Sequence, residues 1–140
     1  MERTLAILKP DSVAAGKAGA IIALLQDAGF VVRGLKMLRL TQAQAQAFYE
    51  VHKERPFYGS LVEFMTSGPV IPLALERDNA VTQLREVMGA TDVAKAAPGT
   101  VRNLFGTSIE RNAIHGSDSP DNAAIELSFF FSRAELLAAL

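Results

Sequence analysis

From Ala90 to Asp118 the chain loses every sustained hydrophobic period and carries Pro98-Gly99 and Gly106, although the whole sequence is only 140 residues long. So long a connection without regular patterning is uncommon in a small domain, and where one occurs it is commonly functional. It limits the regular fold to what flanks it and points to where chemistry could lie. At this length one domain spanning residues 1–140 is expected, with a single self-sufficient core. Hydrophobic residues make up 49% and charged residues 21%, which excludes a disordered or fibrous chain.

The flanking sequence alternates short apolar runs with helical spacing. Thr4 to Leu8 reads as a buried strand ended by Lys9-Pro10-Asp11. From Lys17 the positions Ile21, Leu24, Leu25 and Ala28 share a helical face, closed by Gly29. Phe30 to Leu40 suits a second strand, and Thr41 with Gln44 forms a capping box for a helix running to about Glu54. A short helix through Leu61, Phe64 and Met65 stops at Ser67-Gly68-Pro69. Val70 to Glu76 is a third strand, where Pro72 predicts a bulge or a late start to the ladder. Asp78 is placed to cap a helix through Val81, Leu84 and Met88 that ends at Gly89. After the irregular stretch, Ser119-Pro120 opens a short helix, Ile125 to Phe131 reads as the last strand, and Ser132 with Glu135 boxes a terminal helix. The order predicts an α+β fold, with a mainly antiparallel sheet and helices packed on one face.

Composition narrows the function. A net charge of -1 gives no long-range field to attract nucleic acid or anionic lipid, so any anion site must be local. Cysteine is absent, which removes thiolate nucleophiles and thiolate metal sites. The apolar stretch Ala18 to Leu25 is too short to span a bilayer, and Met1-Glu2-Arg3 lacks the plan of a secretory signal, so a cytoplasmic location is expected. Of the two histidines, His52 reads as a solvated helix residue. His115 lies in Asn112-Ala113-Ile114-His115-Gly116-Ser117-Asp118-Ser119, where small neighbours leave room for a bulky anion to reach the ring. A neutral imidazole with one nitrogen held by a hydrogen bond can attack through the other.

These segments together resemble the nucleoside diphosphate kinases. The resemblance covers essentially the whole chain, from Glu2-Arg3-Thr4 and Lys9-Pro10-Asp11 through Phe48-Tyr49 and Arg55-Pro56-Phe57-Tyr58 to Ser67-Gly68-Pro69-Val70. It continues through Arg85, Met88-Gly89-Ala90-Thr91, Pro98-Gly99-Thr100-Val101-Arg102 and Arg111 to Ser119. It implies a ferredoxin-like βαββαβ core with a four-stranded antiparallel sheet. The implied reaction is ping-pong transfer of a γ-phosphoryl group through His115. The same likeness makes Glu126 the carboxylate that orients the ring and sets the hydroxyls of Tyr49 and Ser117 near the transferred group. Lys9, Arg85 and Arg102 become phosphate-binding cations, with Arg55 an additional one, and Thr91 and Asn112 neutral donors. Phe57, Leu61 and Ile109 become an apolar clamp for the base, tolerant because every base offers a π surface.

No G-x-x-x-x-G-K-[ST] or G-x-G-x-x-G loop occurs. The resemblance therefore implies phosphates held by side chains and by Mg²⁺ carried on the nucleotide, with no protein metal cage assigned. The implied partners are ribo- and deoxyribonucleoside tri- and diphosphates and further copies of the chain, as a tetramer or hexamer. Leu136, Leu137 and Leu140 are available either for such an interface or for the chain's own core. Pro72 and Ser12 depart from the family's usual aliphatic residue and glycine. An RNA-recognition module shares the sheet plan, but its aromatic signature is missing, and neither a membrane nor a specific nucleic acid is expected as a partner.

Overall fold

The computed structural model describes residues 1–138. Strand β1 (Glu2–Leu8) is the centre of the architecture, because Leu5, Ala6, Ile7 and Leu8 are all fully buried. Successive side chains of a strand point to opposite faces, so a run buried throughout must be covered on both. Strand β2 (Val31–Leu35), β3 (Ile71–Arg77) and β4 (Ile114–Gly116) complete a four-stranded sheet in the order β2-β3-β1-β4, and every pairing is antiparallel.

Helix α1 (Pro10–Ala14) is a single tight turn after β1, started by proline at its first position. Ala6 and Leu8 pack with Ile21 and Leu25 of α2 (Ala18–Asp27) and with Ala80, Leu84 and Met88 of α5 (Ala80–Met88). That is the expected βαββαβ core, with its helices on one face. The opposite face, carrying Leu5 and Ile7, is covered by α3 (Gln42–Phe48), α4 (Tyr58–Met65) and α7 (Pro120–Phe130). Each fully buried Leu or Ile contributes about 2 kcal/mol of transfer free energy. Helices α6 (Val101–Phe105) and α8 (Arg133–Ala138) complete the set, and among the described residues no helix is long and apolar enough to cross a membrane.

Local signals account for most of the ends. Gly29 and Gly89 follow α2 and α5 with φ of 93° and 87°, values that suit a residue without Cβ. The Thr41 capping box forms as expected, with Gln44 N to Thr41 Oγ1 at 3.1 Å and Thr41 N to Gln44 Oε1 at 2.9 Å. The Ser132 box forms too, both of its bonds at 3.0 Å.

Several expectations require correction. Ile125 to Phe131 is not a strand: Pro120–Phe130 is one helix, and the last strand is the three-residue β4. Strand β2 is half the expected length, and α3 ends at Phe48, followed by a 3-10 turn over Glu50–His52. The stretch from Ala90 to Asp118 also contains a 3-10 turn at Val93–Lys95, α6 and β4. Asp78 does not cap α5. Asn79 occupies the cap position with φ 53°, and the Val81 amide is taken by Glu2 Oε1 at 2.8 Å.

Pro72 causes no bulge, since its pairing with Ile7 is regular and the β1–β3 ladder starts at Ile71. The carbonyl of Pro72 accepts from Lys36 N, so its missing donor faces the β2 side, where pairing is interrupted between Leu35 and Leu38. The register irregularity of that edge lies instead between Val32 and Gly34.

Candidate active site

Two sequence segments about a hundred positions apart meet at the end of β1. Lys9 follows β1 directly, and Asn112 and Ala113 lead into β4, where His115 pairs with Ile7. Lys9 N donates to Ala113 O at 2.9 Å, Ser12 Oγ donates to the same carbonyl at 2.8 Å, and Ala113 N donates to Asp11 Oδ2 at 3.1 Å. Ala113 has φ 75°, and Ile114 N donates back to Asn112 O at 2.9 Å. That combination is a γ-turn of the rarer hand, a strained conformation costing about 1–3 kcal/mol for a residue with a Cβ.

On this frame the His115 ring is held by Glu126 of α7, Nε2 to Oε1 at 2.7 Å. The same oxygen accepts from Ser117 Oγ at 2.9 Å. A carboxylate only accepts, so Nε2 carries the hydrogen and Nδ1 keeps a free lone pair. Phe48 and Tyr49 flank the ring edge-on at centroid distances of 5.4 and 6.1 Å, fixing its plane.

The ring borders a cavity of about 580 Å³ that is lined also by Lys9, Arg85 of α5 and Arg102 of α6. Lys9 is 8% exposed and donates from Nζ to Asn112 Oδ1 at 2.8 Å. Burial, and then the neighbouring Arg102 guanidinium, bring its pKa down to about 8. Arg102 is anchored by donation to the carbonyls of Gly89 (3.0 Å) and Ile114 (2.9 Å). Burial, with Arg85 nearby, brings it down to about 10, still cationic at neutral pH. Asn112 Nδ2 is itself oriented by donation to the carbonyls of Ile109 (2.8 Å) and Thr91 (3.3 Å).

Two buried polar atoms here have no partner among the described residues, the Tyr49 hydroxyl and Arg102 Nε. Burial, reinforced by the Glu126 carboxylate, raises the Tyr49 pKa, so its phenol stays protonated. An orphaned buried donor is destabilising by about 1–3 kcal/mol, and both belong to residues lining the cavity. Anionic oxygens suit such donors.

The mouth is apolar. Phe57 at the start of α4 and Ile109 are 47% and 61% exposed, and with Leu61 they edge the same cavity. The residues singled out from sequence line this space, with the exceptions of Arg55 and of Ser117, which stands behind it bonded to Glu126. Arg55 does not line it and is exposed.

His52 also departs from expectation. It lies in the 3-10 turn, half-buried, stacked on Tyr49 at 6.5 Å and 5.5 Å from Phe57, and lines the cavity. Phe48, Glu110, Asp118, Asn122 and Ile125 are lining residues that sequence reasoning missed. For Asn122 and Ile125 the usable signal was helical spacing from Ser119, which puts them on the same helix as Glu126. Among the described residues no group of three or more His, Cys, Asp or Glu side chains is placed to hold a metal ion by itself.

The whole arrangement is similar to that of known proteins. The family model described as nucleoside diphosphate kinase matches residues 2–136. Nucleoside diphosphate kinases of Chloroherpeton thalassium and of a Methylobacterium species are 57% and 54% identical to the chain, with at least 98% of each chain covered in both comparisons. The Aquifex aeolicus nucleoside diphosphate kinase structure superposes with a TM-score of 0.93 at 47% identity, covering 96% of this chain and 97% of that one. The Halobacterium salinarum enzyme, solved in complex with CDP, gives 0.91 at 40% identity, covering 96% and 90%. By sequence over nearly its full length and by fold, the chain belongs to the nucleoside diphosphate kinase family, and its chemistry is phosphotransfer between nucleotides.

Proposed function

We propose that this chain moves the γ-phosphoryl group of a nucleoside triphosphate to a nucleoside diphosphate in two half-reactions through phospho-His115. In the first, the Nδ1 lone pair of His115 bonds to the γ-phosphorus as the bond to the bridging oxygen breaks, and the diphosphate leaves with that electron pair. In the second, a terminal oxygen of a different diphosphate attacks the phosphohistidine and the Nδ1–P bond breaks. The Nε2 hydrogen stays on the ring and is donated to the Glu126 carboxylate, whose negative charge offsets the positive charge that develops on the imidazole.

Protein does little covalent work in such a transfer; alignment and neutralisation of the oxygens supply most of the acceleration. Lys9, Arg85 and Arg102 take the charge on the phosphates and Thr91 donates to them, while Asn112, its amide hydrogens given to the Ile109 and Thr91 carbonyls, holds the Lys9 ammonium in place. Tyr49 and Ser117 contribute hydroxyls, Tyr49 toward the transferred group and Ser117 through Glu126. Phe57, Leu61 and Ile109 hold the base by its faces, so purine and pyrimidine, ribo- and deoxyribonucleotides are all substrates. Mg²⁺ arrives on the nucleotide phosphates as part of the substrate and adds charge neutralisation there. Self-association into a tetramer or hexamer and a cytoplasmic location complete the proposal.

The observation that carries this reading is the His115–Glu126 pair facing a cavity it shares with Lys9, Arg85 and Arg102. Incubation with γ-labelled ATP and Mg²⁺ is expected to give an acid-labile, alkali-stable phosphoenzyme that a diphosphate of any base discharges. His115→Ala is expected to fold and to take up no label. A purified His115→Ala protein that still transfers phosphate would refute the proposal.

A further inference from the structure

The γ-turn at Ala113 sits between the side chains that make the site. On one side of it Asn112 positions the Lys9 ammonium, and on the other Ile114 supplies the carbonyl that anchors Arg102 and His115 follows. A strained turn persists only where its surroundings over-determine it. Its surroundings here are specific: the Ala113 amide is taken by the Asp11 carboxylate at 3.1 Å and its carbonyl by the Ser12 hydroxyl at 2.8 Å. Ser12 is 2% exposed and also bonds the Lys9 carbonyl at 3.1 Å, so α1 closes onto the turn from below the cavity. Neither Asp11 nor Ser12 lines the cavity.

We infer that Asp11 and Ser12 are positioning residues for phosphoryl transfer, clamping the Ala113 γ-turn and thereby aiming His115, Asn112 and Arg102 at one point. The inference rests on the reading of His115 as phosphoryl acceptor. If the clamp is lost, Ala113 relaxes toward an ordinary negative φ. The chain direction into β4 then changes, and the imidazole and its cations no longer converge. Catalytic alignment is sensitive to displacements of that order. A glycine at position 113 adopts positive φ without strain, so with it the turn no longer depends on the clamp.

The test is a double-mutant cycle read by the single-turnover rate of His115 phosphorylation at saturating MgATP, scaled to folded protein. Asp11→Ala is expected to slow that rate about tenfold or more, equivalent to a misalignment of about 1.4 kcal/mol. Ser12→Ala is expected to act in the same direction with a smaller effect. In Asp11→Ala/Ala113→Gly most of the rate returns, while Ala113→Gly alone stays near wild type. A purely structural role would lower the unfolding midpoint of Asp11→Ala without changing its rate per folded molecule. That result, or a slow Asp11→Ala enzyme that Ala113→Gly fails to rescue, overturns the inference. Should Asp11→Ala not fold alone, Ser12→Ala and Ser12→Ala/Ala113→Gly decide by the same criterion. Wild-type protein that takes no label on His115 would instead sink the acceptor reading itself.

Discussion

Lys9 keeps a positive charge in a place that disfavours it. An unfolded lysine titrates near 10.4, whereas folded Lys9 titrates at about 8. Between those values the unfolded chain holds more protons, so this group makes the unliganded protein more stable as pH rises from about 8 to about 10. Tyr49 and Arg102 begin to count only near pH 10, and there they act in opposite senses. A nucleotide phosphate favours the ammonium form, so above pH 8 binding must take up a proton and affinity falls as pH rises. Calorimetric titration of ADP from pH 7 to 9.5, in buffers of different ionisation heat, should show both effects. A flat affinity with no proton uptake would remove Lys9 from phosphate binding. The chemistry-bearing residues were legible because their types are scarce and their motif specific. His52 was not, because a single histidine beyond an apolar face reads the same on a solvated helix as in a 3-10 turn facing a cavity.

At the scale of elements, Ile125 to Phe131 was misread for a physical reason. A short run rich in Ile and Phe fits a strand as well as a helix, and the run alone cannot choose. The discriminating signals lay upstream: the Ser119 hydroxyl accepts from the Asn122 amide, Pro120 starts the helix, and Ala123, Leu127 and Phe130 fall on one buried face. The family likeness put Glu126 in the site although the element was wrong, because register along the chain does not depend on knowing the fold. Just past α7, Phe131 is 3% exposed and lies against β2, where a Cβ built on Gly34 would stand 2.8 Å from its ring. Gly34→Ala is therefore expected to destabilise the protein by about 1–3 kcal/mol through overpacking. Because β2 and β4 lie at opposite edges of the sheet, specific activity should be unchanged. Urea unfolding of the variant checks the first part and a coupled kinase assay the second; unchanged stability would mean that Phe131 is not locked there.

Across the whole molecule, the cavity joins the two hydrophobic clusters that the sheet separates. Phe48, Tyr49, Leu61 and Glu126 belong to elements packed on one face of the sheet, and Arg85 and Arg102 to elements packed on the other or beside it. A nucleotide filling that space touches both, so its binding energy should oppose unfolding of the chain as one unit. At a hundredfold excess over its dissociation constant, a ligand specific for the folded state adds about 2.7 kcal/mol. For a chain of this size that corresponds to a rise of roughly 10 °C in the unfolding midpoint. Adenine and pyrimidine diphosphates compared at equal multiples of their dissociation constants, and at one protein concentration, should give the same shift and a single calorimetric transition. If ADP splits the transition, with the helices over residues 42–65 melting first, the nucleotide is held by one face alone, and the cavity does not unite the two clusters.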